Sequence, residues 1–393
     1  MLRREILAAV TLQGMGAVAV LLATVLLGIR LGPEVQGGFS NVKAEVEFLS
    51  AFAMFGLPQA LFFYAKSGRL DDRGALRWIA GCTALALILG AAYAIYRAQP
   101  MVITTLLAVA VGALAAHGTM RGLLLVESRP VWFSLLTALP QLLLLCGVTA
   151  VIELREAHVQ AWLVVFLAAY MVAAIAVWHR LVRSPLRAAA QKVSWRELLH
   201  YGMAHWLTAV FVTAAILFAQ RWVEKNLGSA ALGQFTMAMM LAQVPLTPIS
   251  YAAPLLFRRW MDRPGAAASR QIALMVFALF LMAAAIAWLV ALVKPELGLG
   301  AAYVGALPAL VVLLTGCAAE AASRVLTVQA SARGAPWIAV RAEAVRWTVL
   351  VSGWMTLSEP SLTVICTVWA AGAWAAAGVF VWCARDVHLE ITT

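Results

Sequence analysis

The stretch LGPEVQGGF at residues 31–39 returns as LGSAALGQF at residues 227–235, an offset of 196. Both read LG-x4-G-x-F, and the same offset sets Pro58 on Pro254. A second register, offset by 203, sets His117 on Glu320 and Arg121 on Arg324. A chain of 393 residues that repeats itself at half its length is built from two related halves. What surrounds the repeats is apolar: 64% of residues are hydrophobic and 12% charged. Soluble domains run at roughly 45–50% apolar and about 25% charged. A water-soluble fold could not hide this much apolar surface, so the solvent is lipid.

A transmembrane helix needs roughly 20 apolar residues. Apolar windows place twelve helices near 6–30, 46–65, 78–96, 101–126, 131–152, 159–179, 200–222, 230–256, 271–293, 299–321, 336–357 and 361–384. The runs are too long for barrel strands and lack their alternation. Arg3 and Arg4 before the first run imitate a secretory signal, but no small-x-small cleavage site precedes polar sequence, so the run reads as a membrane helix. With the N-terminus inside, the inner loops carry 21 Lys and Arg and the outer loops 7. That bias places both termini in the cytoplasm and supports an even number of crossings. It also accounts for the net charge of +11 without a nucleic-acid partner, since no basic face with stacking aromatics lies outside the helices.

The longest inner loop, near 180–199, divides the chain into an N-terminal lobe 1–180, a basic and amphipathic cytoplasmic linker 181–199, and a C-terminal lobe 200–393. Ser194 followed by Glu197 has capping-box spacing and predicts a helix start, with Trp195, Leu198, Leu199 and Tyr201 towards the membrane. Six-helix halves with both ends inside are parallel repeats, related by an axis along the membrane normal. The expected fold is all-α, about 12 transmembrane helices in two parallel-related six-helix lobes around a central cavity. Duplicated bundles of this kind are transporters more often than enzymes, by analogy.

Charge inside a membrane is expensive and needs a reason. His117 and Arg121 share a helix face, as do Glu320 and Arg324. Arg121 and Arg324 either line a cleft and hold an anionic head group, for which the guanidinium fork is suited, or snorkel to the cytoplasmic interface. Arg346 lies ten residues after Pro336, about 15 Å into the bilayer at the helical rise. It either contacts substrate or pairs with Glu343 one turn earlier. Glu45 and Glu47 begin the second helix on the outer side. Glu47 either takes part in ion coupling or is an acid favoured at a helix start; Glu343 is the second candidate for ion coupling, and His117 and Glu320 are placed with Arg121, Arg324 and Arg346 as candidate substrate-binding residues. Arg30, Arg221, Glu224 and Lys225 are boundary residues or an outer gate. Pro58 within the second helix and Pro245, Pro248 and Pro254 within the eighth are hinges or static kinks.

Cys82, Cys146, Cys317, Cys366 and Cys383 sit singly in apolar runs, without CxxC spacing, and the six histidines form no metal-binding pattern. No metal, cofactor or catalytic set is expected. With no P-loop on the chain, energy would come from a H+ or Na+ gradient, the membrane potential, or removal of product.

LGPEVQGGF at 31–39 and FGLPQALFFYAKSG at 55–68 resemble the first two helices of the polysaccharide flippase family, the O-antigen and exopolysaccharide exporters. That family shares a superfamily with multidrug extruders and the lipid II flippase. SWRELLHYGMAHWL at 194–207 and LGSAALGQFTMAMMLAQVP at 227–245 resemble the start of its second half. The resemblance covers nearly the whole chain in order and topology. It implies two lobes around a cationic cavity in the bacterial inner membrane, and an undecaprenyl-pyrophosphate-linked oligosaccharide as cargo. Other polysaccharide-assembly membrane proteins would be partners. The rival readings are an ion-coupled drug or cation antiporter, which would present carboxylates and aromatics, and a polymerase or ligase. Those enzymes resemble one another in a large outer loop, whereas the longest one expected here is about 15 residues, near 31–45.

Overall fold

The computed structural model describes residues 2–126, 130–183, 193–246, 303, 305–333 and 335–390, with scattered residues between 249 and 288. All regular structure among them is helical: α1 (Leu2–Met54), α2 (Leu57–Lys66), α3 (Asp72–Tyr96), α4 (Met101–Arg121), α5 (Pro130–Leu154), α6 (Val159–Val182), α7 (Trp195–Leu227), α8 (Ser229–Gln243), α9 (Ala306–Ala332), α10 (Trp337–Met355) and α11 (Leu362–Glu390). Among the described residues eight helices are long and apolar enough to span a membrane. The protein is a multi-pass membrane protein. Of the expected helix at 271–293, the described residues 273–278, 280–285 and 288 are helical, and Pro248 and Pro254 lie outside the described residues.

The opening motif works as a hinge in the backbone. α1 is two helices joined at Gly32, whose φ of 85° and ψ of 172° only glycine adopts cheaply. Pro33 then opens the second helix, where a missing N–H costs nothing. In the second half Gly228 has φ 88° and ψ 172°, between α7 and Ser229 of α8. The repeat seen in the letters is thus a repeat of the turn itself. It also corrects an expectation. Residues 31–45 form no outer loop, because a one-glycine turn followed by proline restarts the helix at once. Glu45 and Glu47 consequently lie more than three turns inside that helix, not at its start.

The second helix is interrupted further on. Phe55 (φ 50°) and Gly56 (φ 67°) leave the helical region. Pro58 then stands in the first turn of α2, so it opens a helix and does not kink one. A Cβ on Gly56 would lie 1.9 Å from the carbonyl oxygen of Gly202 on α7, so only glycine fits there.

The chain forms two compact units: Met1–Leu31 with Gly38–Leu217, and Gly32–Gly37 with Phe218–Thr393. In the first, α4 packs on α3 and α6, and α5 on α6. In the second, α9 packs on α11 and α8, and α10 on α11. With the 203 offset, the α4–α6 and α5–α6 pairs of one unit are the α9–α11 and α10–α11 pairs of the other. The helix caps agree. His158 Nδ1 accepts the N–H of Ala161 at 3.1 Å, and Ser361 Oγ, 203 residues later, accepts that of Val364 at 3.3 Å.

The start of α7 belongs to the first unit. Ser194 Oγ accepts the N–H of Glu197 at 3.2 Å, the cap expected from the spacing. Trp195 is exposed, but Leu198 is buried and Tyr201 stacks on Phe63 at 4.5 Å. That face meets protein where the membrane was expected. Arg69 closes the join with an ion pair to Glu197 at 2.7 Å. The linker residues 184–192 lie outside the described residues.

Candidate functional site

In the second unit two helices deliver charge to one buried place and a third packs beneath it. α9 carries Glu320 and Arg324 one turn apart, paired at 2.6 Å. α10 carries Glu343 and Arg346, three apart, with Arg346 Nη1 3.7 Å from Glu343. Arg346 Nη2 lies 3.5 Å from the other oxygen of Glu320, so this carboxylate is shared by two guanidinium groups. α11 supplies the floor: the Trp369 ring lies 4.6 Å from the Arg346 guanidinium carbon, a cation–π contact. Gly372 lets α11 approach, since a Cβ there would meet Arg346 Cγ at 3.3 Å.

Two cations and two anions balance. This is how a helix tolerates such residues in hydrocarbon: a buried charge is kept only when paired. Arg346 is 2% exposed, so it neither snorkels nor stands open. The helix starts at Trp337, as its depth required. The side chain of Arg324, at 33% exposed, is the open edge of the quartet, whereas that of Glu343 is 15% exposed. Glu343 Oε2, Arg346 Nε and Trp369 Nε1 are buried without a hydrogen-bond partner.

The matching place in the first unit is built without carboxylates. His117 is buried; its Nε2–H donates to the Leu136 carbonyl at 3.0 Å, and Tyr170 lies 5.8 Å from its ring. Arg121, half-buried, has its guanidinium 5.8 Å from the Phe133 ring. The 203 offset sets Leu143 at the place of Arg346, Pro140 at that of Glu343 and Phe166 at that of Trp369.

The remaining candidates have surroundings of their own. Glu47 pairs with Lys43 at 2.6 Å, and Glu45 accepts the Tyr93 hydroxyl at 3.0 Å. Arg30 is exposed at the end of the first helical stretch. Arg221 pairs with Glu224 at 3.1 Å. Pro58 is half-buried in α2. Among the described residues no three His, Cys, Asp or Glu side chains come together to hold a metal ion.

Sequence reasoning paired Glu320 with Arg324 and Glu343 with Arg346, but not the two pairs with each other. The signal was electrical: one helix holds a cation too deep to snorkel, and its neighbour in the repeat holds an acid. Trp369 carried no such signal, because one aromatic in an apolar helix reads as packing.

No protein-family model matches the sequence, and no curated protein sequence does. Solved structures do. A multidrug resistance MATE family transporter of the MOP superfamily in an inward-facing conformation superposes with a TM-score of 0.69, at 17% identity over 99% of both chains. The lipid II flippase MurJ, inward closed, gives 0.71 at 10% identity over 94% of this chain and 86% of its own. A MOP superfamily transporter from Pyrococcus furiosus, described as having a binding pocket of reversed polarity that suggests a different function, gives 0.59 at 16% over 98% and 95%. The chain has the all-helical fold of these transporter structures.

Proposed function

We propose that this protein is a flippase, not an enzyme, carrying an undecaprenyl-pyrophosphate-linked oligosaccharide from the cytoplasmic to the outer leaflet of a bacterial inner membrane. The observation that carries the reading is the Arg324–Glu320–Arg346–Glu343 quartet, held within a transporter fold shared with MurJ. The sugar would be an O-antigen or exopolysaccharide unit.

Arg324 is the group placed to meet a diphosphate, since it is the partly open cation of the quartet and its fork can donate two parallel hydrogen bonds. Arg346 would act from behind, holding Glu320 so that Arg324 stays oriented. In the first unit Arg121 is the candidate phosphate-binding residue, with His117 fixing its helix. In alternating access the head group would load from the cytoplasmic side and leave outward while the polyprenyl tail stays in lipid.

Drug or cation antiport is the second reading, favoured by the MATE transporters aligned over almost the full length of both chains. It needs a carboxylate available to an organic cation. Glu47, Glu320 and Glu343 each already face a cation of this chain, which weighs against it. Pocket polarity differs between proteins of this fold, as the Pyrococcus furiosus transporter is described.

The test is passage of a labelled undecaprenyl-diphosphate oligosaccharide between leaflets of liposomes holding the purified protein. Protein-dependent passage, suppressed by unlabelled undecaprenyl diphosphate and lost in Arg324→Ala, is the expected result. Passage of an organic cation against a proton gradient, with none of the lipid, would replace this reading with antiport.

A further inference from the structure

The two carboxylates of the quartet are not equivalent. Glu320 meets both guanidinium groups, at 2.6 and 3.5 Å. Glu343 meets only Arg346, at 3.7 Å, and its Oε2 is buried with no hydrogen bond. The charged groups facing Glu343 are Arg346 on its own helix and Glu320 and Arg324 on α9; Cys317 on α9 and the uncharged Trp369 on α11 flank Arg346 behind them. Only one of those contacts, the long ion pair to Arg346, would be lost if Glu343 became neutral. Arg346 would keep Glu320 and the Trp369 ring.

Charge counting then links two ligands. With both acids ionised the quartet is neutral and offers an incoming anion no net attraction. With Glu343 protonated it carries one net positive charge, and Arg324 is its open edge. An anion at Arg324 would in turn pull on the charge that Glu320 shares, and a proton on Glu343 would restore the balance. Two ligands that each favour the other's bound state are coupled reciprocally.

We propose that Glu343 is a proton-binding site whose occupancy is coupled to diphosphate binding at Arg324. This rests on the flippase reading for the identity of the anion, but not for the proton. The ligand pair is one proton and one diphosphate, bound about one helix apart in the same unit. The proton comes from water and returns to it, and no bond within the substrate changes.

Infrared difference spectra of the reconstituted protein between alkaline and acid pH test the proton directly. A protonated-carboxyl band is expected in the native protein, absent in Glu343→Gln and shifted in Glu343→Asp. Binding of undecaprenyl diphosphate in detergent then tests the coupling. Affinity should rise as pH falls, by up to about tenfold per unit for one linked proton. Glu343→Gln, which mimics the protonated acid, should bind tightly at all pH values. A band that survives in both variants overturns the site, and unchanged pH dependence in Glu343→Gln overturns the coupling. A native protein that shows the Glu343 band but binds no undecaprenyl diphosphate would keep the proton site and reject the lipid-diphosphate reading.

Discussion

His117–Arg121 on α4 and Glu320–Arg324 on α9 occupy equivalent places in the two halves, yet they are stabilised differently. The first half closes its polar site with an imidazole ring bonded to the Leu136 carbonyl, 3.0 Å away. The second half closes it with four charges and a tryptophan. The helices that carry them pack in the same pairs in both units. Duplication has therefore kept the scaffold and changed the chemistry. One half has a polar joint built on an imidazole, and the other a buried network of four paired charges.

The comparison breaks most decisively at Arg346. Arg346→Ala should cost about 3–5 kcal/mol, because Glu320 and Glu343 lose a buried counter-charge. Thermal unfolding in detergent measures it. Combining Glu320→Gln and Glu343→Gln with Arg346→Met should recover most of that stability while transport stays lost. A variant still as unstable as Arg346→Ala would show that shape, not charge, holds this place. The equivalent substitution in the first half, Leu143→Ala, removes no charge, and its cost should fit the loss of packing alone.

Next come the glycines that the halves share. Gly32→Ala and Gly228→Ala force a side chain into the same positive-φ turn, at about 1–3 kcal/mol each. Nearly equal losses of unfolding midpoint would confirm that the turn is one device used twice. Unequal losses would mean that the surroundings, not the backbone, set the cost.

His117→Ala should cost about 1–3 kcal/mol, the desolvation of a carbonyl left without its donor. It should leave the pH dependence of transport unchanged, since the contacts at His117 are the Leu136 carbonyl and the Tyr170 ring. A shifted pH profile would make the joint active after all. The smallest effect is expected at Trp206, whose Nε1–H donates to the Phe52 carbonyl at 2.8 Å beside the Phe55–Gly56 break. Trp206→Phe should lose about 0.5–1.5 kcal/mol and keep the stacking on Phe55, now at 4.4 Å.

The duplication, the helices expected near 78–96, 101–126, 131–152, 159–179, 200–222, 336–357 and 361–384, and the place of Arg346 within its helix were legible in the sequence. Hydropathy and repeat offsets report which residues sit in lipid and how far along a helix. They do not report where a helix restarts. Residues 31–45 looked like a loop because Arg30, Glu34, Lys43, Glu45 and Glu47 dilute the apolar run, yet Lys43 and Glu47 pair along one helix face at 2.6 Å. Pro58 looked like a kink because the positive φ of Phe55 leaves no trace in residue type. The quartet was half legible. Contacts one turn apart follow from spacing, whereas the Glu320–Arg346 contact, 26 residues apart, depends on how α9 meets α10.

The boundary between the compact units falls at Leu217–Phe218, in the middle of α7 and not in the long inner loop. A gene split at codons 184–192 would therefore produce unequal partners. The leading fragment would lack Tyr201 and Trp206, which cover the Phe63 ring and the Phe55–Gly56 break. The trailing fragment would begin with a helix whose first six turns have no unit of their own to fold on. Neither piece should accumulate alone. Expressed together, they should assemble only as the trailing fragment threads its first helix back onto the leading one, making α7 the complementing strand of a two-piece protein.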